Sequence, residues 1–254
     1  MQGSNVASDP SHEDALNALL HERPEVVEVA LRALPRDQAE QVIARAWADL
    51  RGPERVAAAA RLGDVRGAHG SRLLREALAV RGPGSRDLRC AALLALAQRE
   101  GAAASAELTA ALTARDGTVR DYAVLGLAAH GDGRAWDLVL AHLVARLQPR
   151  RRSWEAMPTR VVAAVTYLAQ HLDEEVGRTS RLEALLRRSA ERLQEDEREW
   201  IARRWPGAAS DDLAAGRRPD SRAMRADLVE GPLFHGPRDT CADRWRRQPD
   251  QAPQ

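Results

Sequence analysis

The chain has no lysine. All thirty-eight of its strongly basic side chains are arginine, set against thirty-seven acidic ones, so the formal net charge is only +1. A protein that coats nucleic acid needs a large basic excess, and that class is disfavoured from the start. Phenylalanine occurs once and tyrosine twice. A sandwich or barrel needs β-branched and aromatic residues alternating at period two, and this chain does not supply them. Two cysteines, Cys90 and Cys241, are too few and too far apart in sequence for a disulfide framework or a metal knuckle. Long apolar runs are absent as well: the longest, Cys90 to Ala97, has eight residues, whereas a bilayer span needs about 18. The opening MQGSNVASDPSHED shows neither the basic start nor the apolar core of a secretion signal. The expectation is a cytoplasmic protein with no membrane segment.

What remains is alanine, about a fifth of the chain, with leucine and arginine in bulk and Gly and Pro as punctuation. That composition points to helices. The arginine bias also looks like that of a GC-rich coding sequence, so arginine abundance alone carries little functional weight. The most informative feature is internal repetition. LRCAALLALA from Leu88 aligns with VRDYAVLGLA from Val119, ERVAAAARLG from Glu54, RVVAAVTYLA from Arg160 and, more weakly, VVEVALRALP from Val26. All five place a small residue four positions before a leucine: Ala30, Ala58, Ala92, Ala123 and Ala164. An alanine kept in one column is what close helix stacking requires, since a larger side chain would hold the backbones apart.

A second apolar pair follows each of the first four copies: Ala46 and Leu50, Leu74 and Leu78, Leu108 and Leu112, Val139 and Leu143. The i, i+4 spacing gives a second helix whose stripe is expected to face the first helix of its own hairpin. Turns are expected at Gly63-Asp64, Arg99-Glu100-Gly101 and His130-Gly131-Asp132-Gly133. Helix starts are expected at Pro24 and Pro53, and at Ser11-x-x-Asp14, Thr118-x-x-Asp121 and Ser180-x-x-Glu183. The unit is a helical hairpin of about 30 to 40 residues, the pattern of an α-solenoid.

The stretch DGTVRDYAVLGLAAHGDGRAWDLVLAHL, from Asp116 to Leu143, resembles a short HEAT-type repeat of the bacterial kind. Val119-Arg120, Ala123, Leu127 and Gly131-Asp132 occupy the positions where that repeat carries Val-Arg, a small residue, a leucine and a Gly-Asp turn. The resemblance covers roughly residues 24 to 193, is good for two central copies and degenerates outward. It implies an all-α, right-handed α-solenoid of about five HEAT-like hairpins. On that view residues 1–10 are a flexible N-terminus, 11–206 the solenoid and 207–254 a largely disordered tail. Trp200, Ile201 and Trp205 would form a short capping helix stopped by Pro206-Gly207.

Some HEAT-like proteins, the deoxyhypusine hydroxylases, hold iron on His-Glu pairs that recur in one column of the repeats. Here such pairs occur only at His12-Glu13 and His21-Glu22. Nine residues apart on a helix, those histidines would point to opposite faces, so no metal is expected. A HEAT-like family of DNA glycosylases uses tryptophans and an acidic residue along a basic face. Trp47 and Trp136, however, fall on the apolar stripes of their helices and are expected in the core. The arginines Arg55, Arg89 and Arg120 share a first-turn column and are expected to bond neighbouring turns. Cys90 reads as a small core residue. No Ser/His/Asp set, Cys/His set, phosphate-binding glycine loop or paired carboxylates is evident, and neither catalysis nor a cofactor is expected.

Two segments stand out as binding candidates. RLQPRRRSWEAMPTR carries Arg146, Arg150, Arg151, Arg152 and Arg160 against the single acid Glu155, with Trp154 in its midst. Arginine with tryptophan is the pairing enriched in binding hot spots, and it suits an acidic or phosphate-bearing partner. Further on, Met224, Leu228, Val229, Leu233 and Phe234 form an amphipathic patch. It would dock on a partner or fold back over this chain. The expected function is a non-catalytic scaffold or adaptor that binds another protein, with nucleic-acid binding, glycosylase-like or otherwise, as the alternative.

Overall fold

The computed structural model of the chain describes residues 34–148, 159–209 and 218–230, with Asn17 and Leu31. Every regular element among them is helical. The first copy's Ala30, Pro24, the Ser11-x-x-Asp14 signal and both His-Glu pairs lie outside the described residues. The chain divides into two compact units, with the boundary between Glu100 and Gly101.

The first unit holds α1 (Arg36–Ala46), α2 (Gly52–Arg61), α3 (Gly70–Ala79) and α4 (Ser85–Glu100). Pro53 sits in the first turn of α2, where its missing N–H costs nothing. Helix α4 packs against both α2 and α3, and α3 also meets α1. Leu88, Cys90 and Ala92–Ala97 are all buried. Ala58 and Ala92 are fully enclosed, as are Leu62 and Leu96 four residues on. Gly63 lies in a turn, as expected, and it also serves packing. A Cβ there would stand 2.9 Å from the Ala95 Cα, so the turn after α2 rests directly on the α4 backbone.

The second unit begins with α5 (Ser105–Ala111), α6 (Gly117–His130), α7 (Trp136–Arg146) and α8 (Thr159–Gln170). It continues through α9 (Arg178–Arg188), α10 (Glu195–Arg204), α11 (Pro206–Ala209) and α12 (Ser221–Glu230). Helix α8 is the centre of this unit. Every residue from Val161 to Ala169 is buried, as expected of a helix that is apolar all round. It is flanked by α6, α7 and α12. Ala123, Ala164, Leu127 and Leu168 of the repeat columns are fully buried. The second-helix stripe behaves differently from expectation: α5 packs chiefly on α6, and α7 on α8, so each covers the following first helix. Period 3.6 identifies the buried face of a helix but not the neighbour that buries it.

Helix ends also differ from the expected signals. The cap of α6 is Asp116, whose carboxylate accepts from the N–H groups of Thr118 and Val119, which leaves Asp121 free for other work. Gly177, at φ +90°, precedes α9. The acidic run Gln194–Arg198 starts α10 with a capping box between Gln194 and Glu197. Pro206 opens the short α11. Residues 207–209 and 221–230, within the stretch assigned to the tail, are helical.

Candidate functional site

A charge cluster that includes Arg146 and Arg160 is built on Asp121, in the second turn of α6. Its carboxylate is buried, at 7% side-chain exposure. It accepts from Arg146 Nη2 at 2.7 Å on both oxygens and from Arg146 Nε at 3.0 Å. Arg160 Nε reaches it at 2.8 Å, and His142 Nε2 lies 2.9 Å away. Arg146 stands in the last turn of α7, where a cation is favoured by the helix dipole, and it also donates to the Gly117 carbonyl at 3.0 Å. Two guanidiniums thus share the Asp121 carboxylate. Arg146 and Arg160 keep 21% and 22% of their side chains exposed.

Of the six residues singled out around this segment, the structure brings Arg146 and Arg160 together on one acid. They precede and follow residues 149–158 in sequence, and both contact Asp121. Arg150, Arg151, Arg152 and Trp154 lie outside the described residues. Beside the cluster, the outer face of α7 leaves Leu138 45% and Val144 38% exposed, with Ala141 and Ala145 exposed on the same side. The inner face buries Trp136, Val139, His142 and Leu143.

Trp136 is a core residue, as its position on the stripe implied. Its indole N–H donates to the Leu168 carbonyl at 3.1 Å, and Arg178 and Arg181 lie over its ring at 4.9 and 5.1 Å. The Tyr167 hydroxyl donates to the Asp132 carbonyl and accepts from the Ala135 N–H; burial pushes the phenol above its usual range. Nearby, burial opposes ionisation of Glu174. The bonds and charges of His171 and Arg178 outweigh it, and the carboxyl sits below its ordinary value. Trp47 is likewise buried, with the Arg55 guanidinium 4.7 Å from its ring centre. Arg120 donates to the Ala114 and Arg115 carbonyls, a structural use of its column.

The tail patch is divided. Met224 and Leu228 are fully buried, Val229 is half-buried, and Leu233 and Phe234 lie outside the described residues. Helix α12 packs on α6, α8 and α10. Asp227 accepts from Trp200 Nε1 at 2.9 Å and from Arg204 Nε and Nη2 at 2.7 and 2.6 Å. Chiefly through the Arg204 bonds, its carboxyl is held below the usual range. Arg225 Nε donates to the Ala129 carbonyl at 2.7 Å.

Sequence reasoning missed one strong pair. Arg99, assigned to a connection, ends α4 with its side chain 5% exposed, 2.9 Å from Glu40 at 2%. It also donates to the carbonyls of Leu62, Val65 and Gly67 and to Ser71 Oγ, while Glu40 accepts from the N–H groups of His69 and Gly70. The available signal was Glu40 itself, an acid on the apolar face of α1. Among the described residues, no three of His, Cys, Asp or Glu gather as a metal would need, and no helix is long and apolar enough to cross a membrane.

Comparison with protein-family models, curated proteins and solved structures gives no match. The geometry of the chain itself is what a functional assignment has to rest on.

Proposed function

We propose that the chain is a HEAT-like helical-repeat scaffold that binds another protein without chemistry of its own, at the edge formed by α7 and the arginine-rich segment after it. The observation that carries this is the outer face of α7. Leu138 and Val144 are two of the three large apolar side chains exposed among the described residues. They share a helix with Arg146, which leads into Arg150, Arg151 and Arg152. An apolar stripe ending in a positive cluster is suited to a partner surface that pairs apolar groups with carboxylates or phosphates. The repeated alanine column supports the solenoid arrangement, because it permits successive hairpins to stack closely.

Affinity capture from the source cell, with and without nuclease, tests the proposal. Wild type should retain a protein after nuclease treatment, and both L138D/V144D and R150S/R151S/R152S should lose it. Signal that disappears with nuclease would instead place nucleic-acid binding first, and capture unchanged in both variants would remove the α7 edge as the site.

A further inference from the structure

We infer that α12 is a built-in, displaceable occupant of a groove on α6, α8 and α10, and that the groove takes an acidic amphipathic helix from another protein. The inference concerns a different surface from the α7 edge and does not depend on it. Helix α8 has no polar face to give to solvent, and α6 and α7 cover only part of it. The remaining side is occupied by α12, which fills it with two fully buried side chains one helical turn apart, Met224 and Leu228. Between them in sequence, Asp227 projects to α10.

The receiving side is more specific than an apolar floor. Trp200 Nε1 and the Nε and Nη2 of Arg204 converge on the one carboxylate of Asp227. A guanidinium gripping a carboxylate through two N–H groups is among the strongest and most directional of polar contacts. Tryptophan and arginine are also the residues that dominate binding energy at interfaces. Both members of the Arg204–Asp227 pair remain 26% exposed, so exchanging the carboxylate does not require opening the core. The groove therefore specifies a helix with an apolar residue, an acid three positions later and a second apolar residue next to it. That is the helix-in-groove mode of recognition. In the free chain α12 satisfies it as part of the same molecule, and an incoming helix must outcompete that intramolecular contact.

The test uses the full chain and two labelled peptides. One has the sequence of residues 218–232; the other is an unrelated Ala-rich helix carrying only Met, Asp and Leu at the Met224, Asp227 and Leu228 spacing. Both should bind full-length M224D/L228D, in which α12 is released, at least tenfold more tightly than wild type. D227N should give a smaller gain in the same direction. Replacing the peptide's Asp by Lys, or adding R204A to the double variant, should abolish binding. Three outcomes would overturn the inference: equal or absent binding in wild type and M224D/L228D, binding only of the native-sequence peptide, or loss of cooperative unfolding in M224D/L228D. The second would mark α12 as an ordinary missing piece of the fold, and the third would show that the unit cannot exist without it.

Discussion

The two units both bury an acid and answer it with arginine, yet they do so in opposite ways. In the unit ending at Glu100, Glu40 and Arg99 are sealed from solvent; the His69 and Gly70 N–H groups bond Glu40, and the Leu62, Val65 and Gly67 carbonyls and Ser71 Oγ accept from Arg99. In the unit beginning at Gly101, Asp121 is equally buried but is held by two arginines that stay about a fifth exposed. A sealed pair serves as a staple between α1, α4 and the turn before α3. A half-open cluster also holds the fold, but its two arginines stay in contact with water. Burial of the cation, more than that of the anion, separates structural charge from charge available for binding.

The sharpest way to break this contrast is to remove the cation on the sealed side. R99A should destabilise its unit by about 3–5 kcal/mol, because Glu40 is left buried and uncompensated; chemical denaturation would measure it, and a loss under about 1 kcal/mol would mean water reaches the pair. On the open side, D121N keeps the shape but withdraws the charge from three cationic or hydrogen-bonding partners. We expect a smaller loss, about 1–3 kcal/mol, read by the same denaturation measurement.

Acidification should act on the second unit through α12. Burial, with Arg225 nearby, lowers the His130 pKa below its usual 6.5. The neutral ring therefore supports the folded state above about pH 6.5, and this support is lost as pH falls toward the lowered value. A charged His130 would also face Arg225, which holds α12 to Ala129. Asp227 works the same way in a lower window, since its depressed carboxyl gives stability that persists until pH drops beneath the ordinary carboxylate range. Amide exchange over residues 221–230, corrected for intrinsic rates, should rise between pH 7.5 and 5.5. H130Q should flatten that rise without touching the lower window. The smallest effect belongs to a surface pair, Arg72 and Glu76, with side chains 66% and 50% exposed. E76Q should change stability by about 0.5 kcal/mol or less, which sets the baseline for the buried pairs.

Much of the fold was legible because it is written locally. Ala58, Ala92, Ala123 and Ala164 recur in one column, and all four are buried without remainder. Trp47 and Trp136 sit on apolar stripes at helical spacing, and both are in the core. The candidate sites were legible only in part. Arg146 and Arg160 were visible as a local excess of charge, but nothing in their neighbourhood pointed to Asp121, more than twenty residues earlier on another helix. Asp121 itself looked like half of a capping signal until Asp116 took that role.

The sequence by itself determined that the described elements are helical and which positions of the shared alanine–leucine column turn inward. These follow from propensity and from a period of 3.6 residues, both of which act over a few neighbouring positions. Only the tertiary structure decided that the second helices cover the following first helix, that Arg99 finds Glu40 and that α12 lies against α8. Such pairings join residues tens of positions apart, and no local period encodes them. They arise when apolar faces that fit several neighbours equally well settle where the few buried charges can also be satisfied.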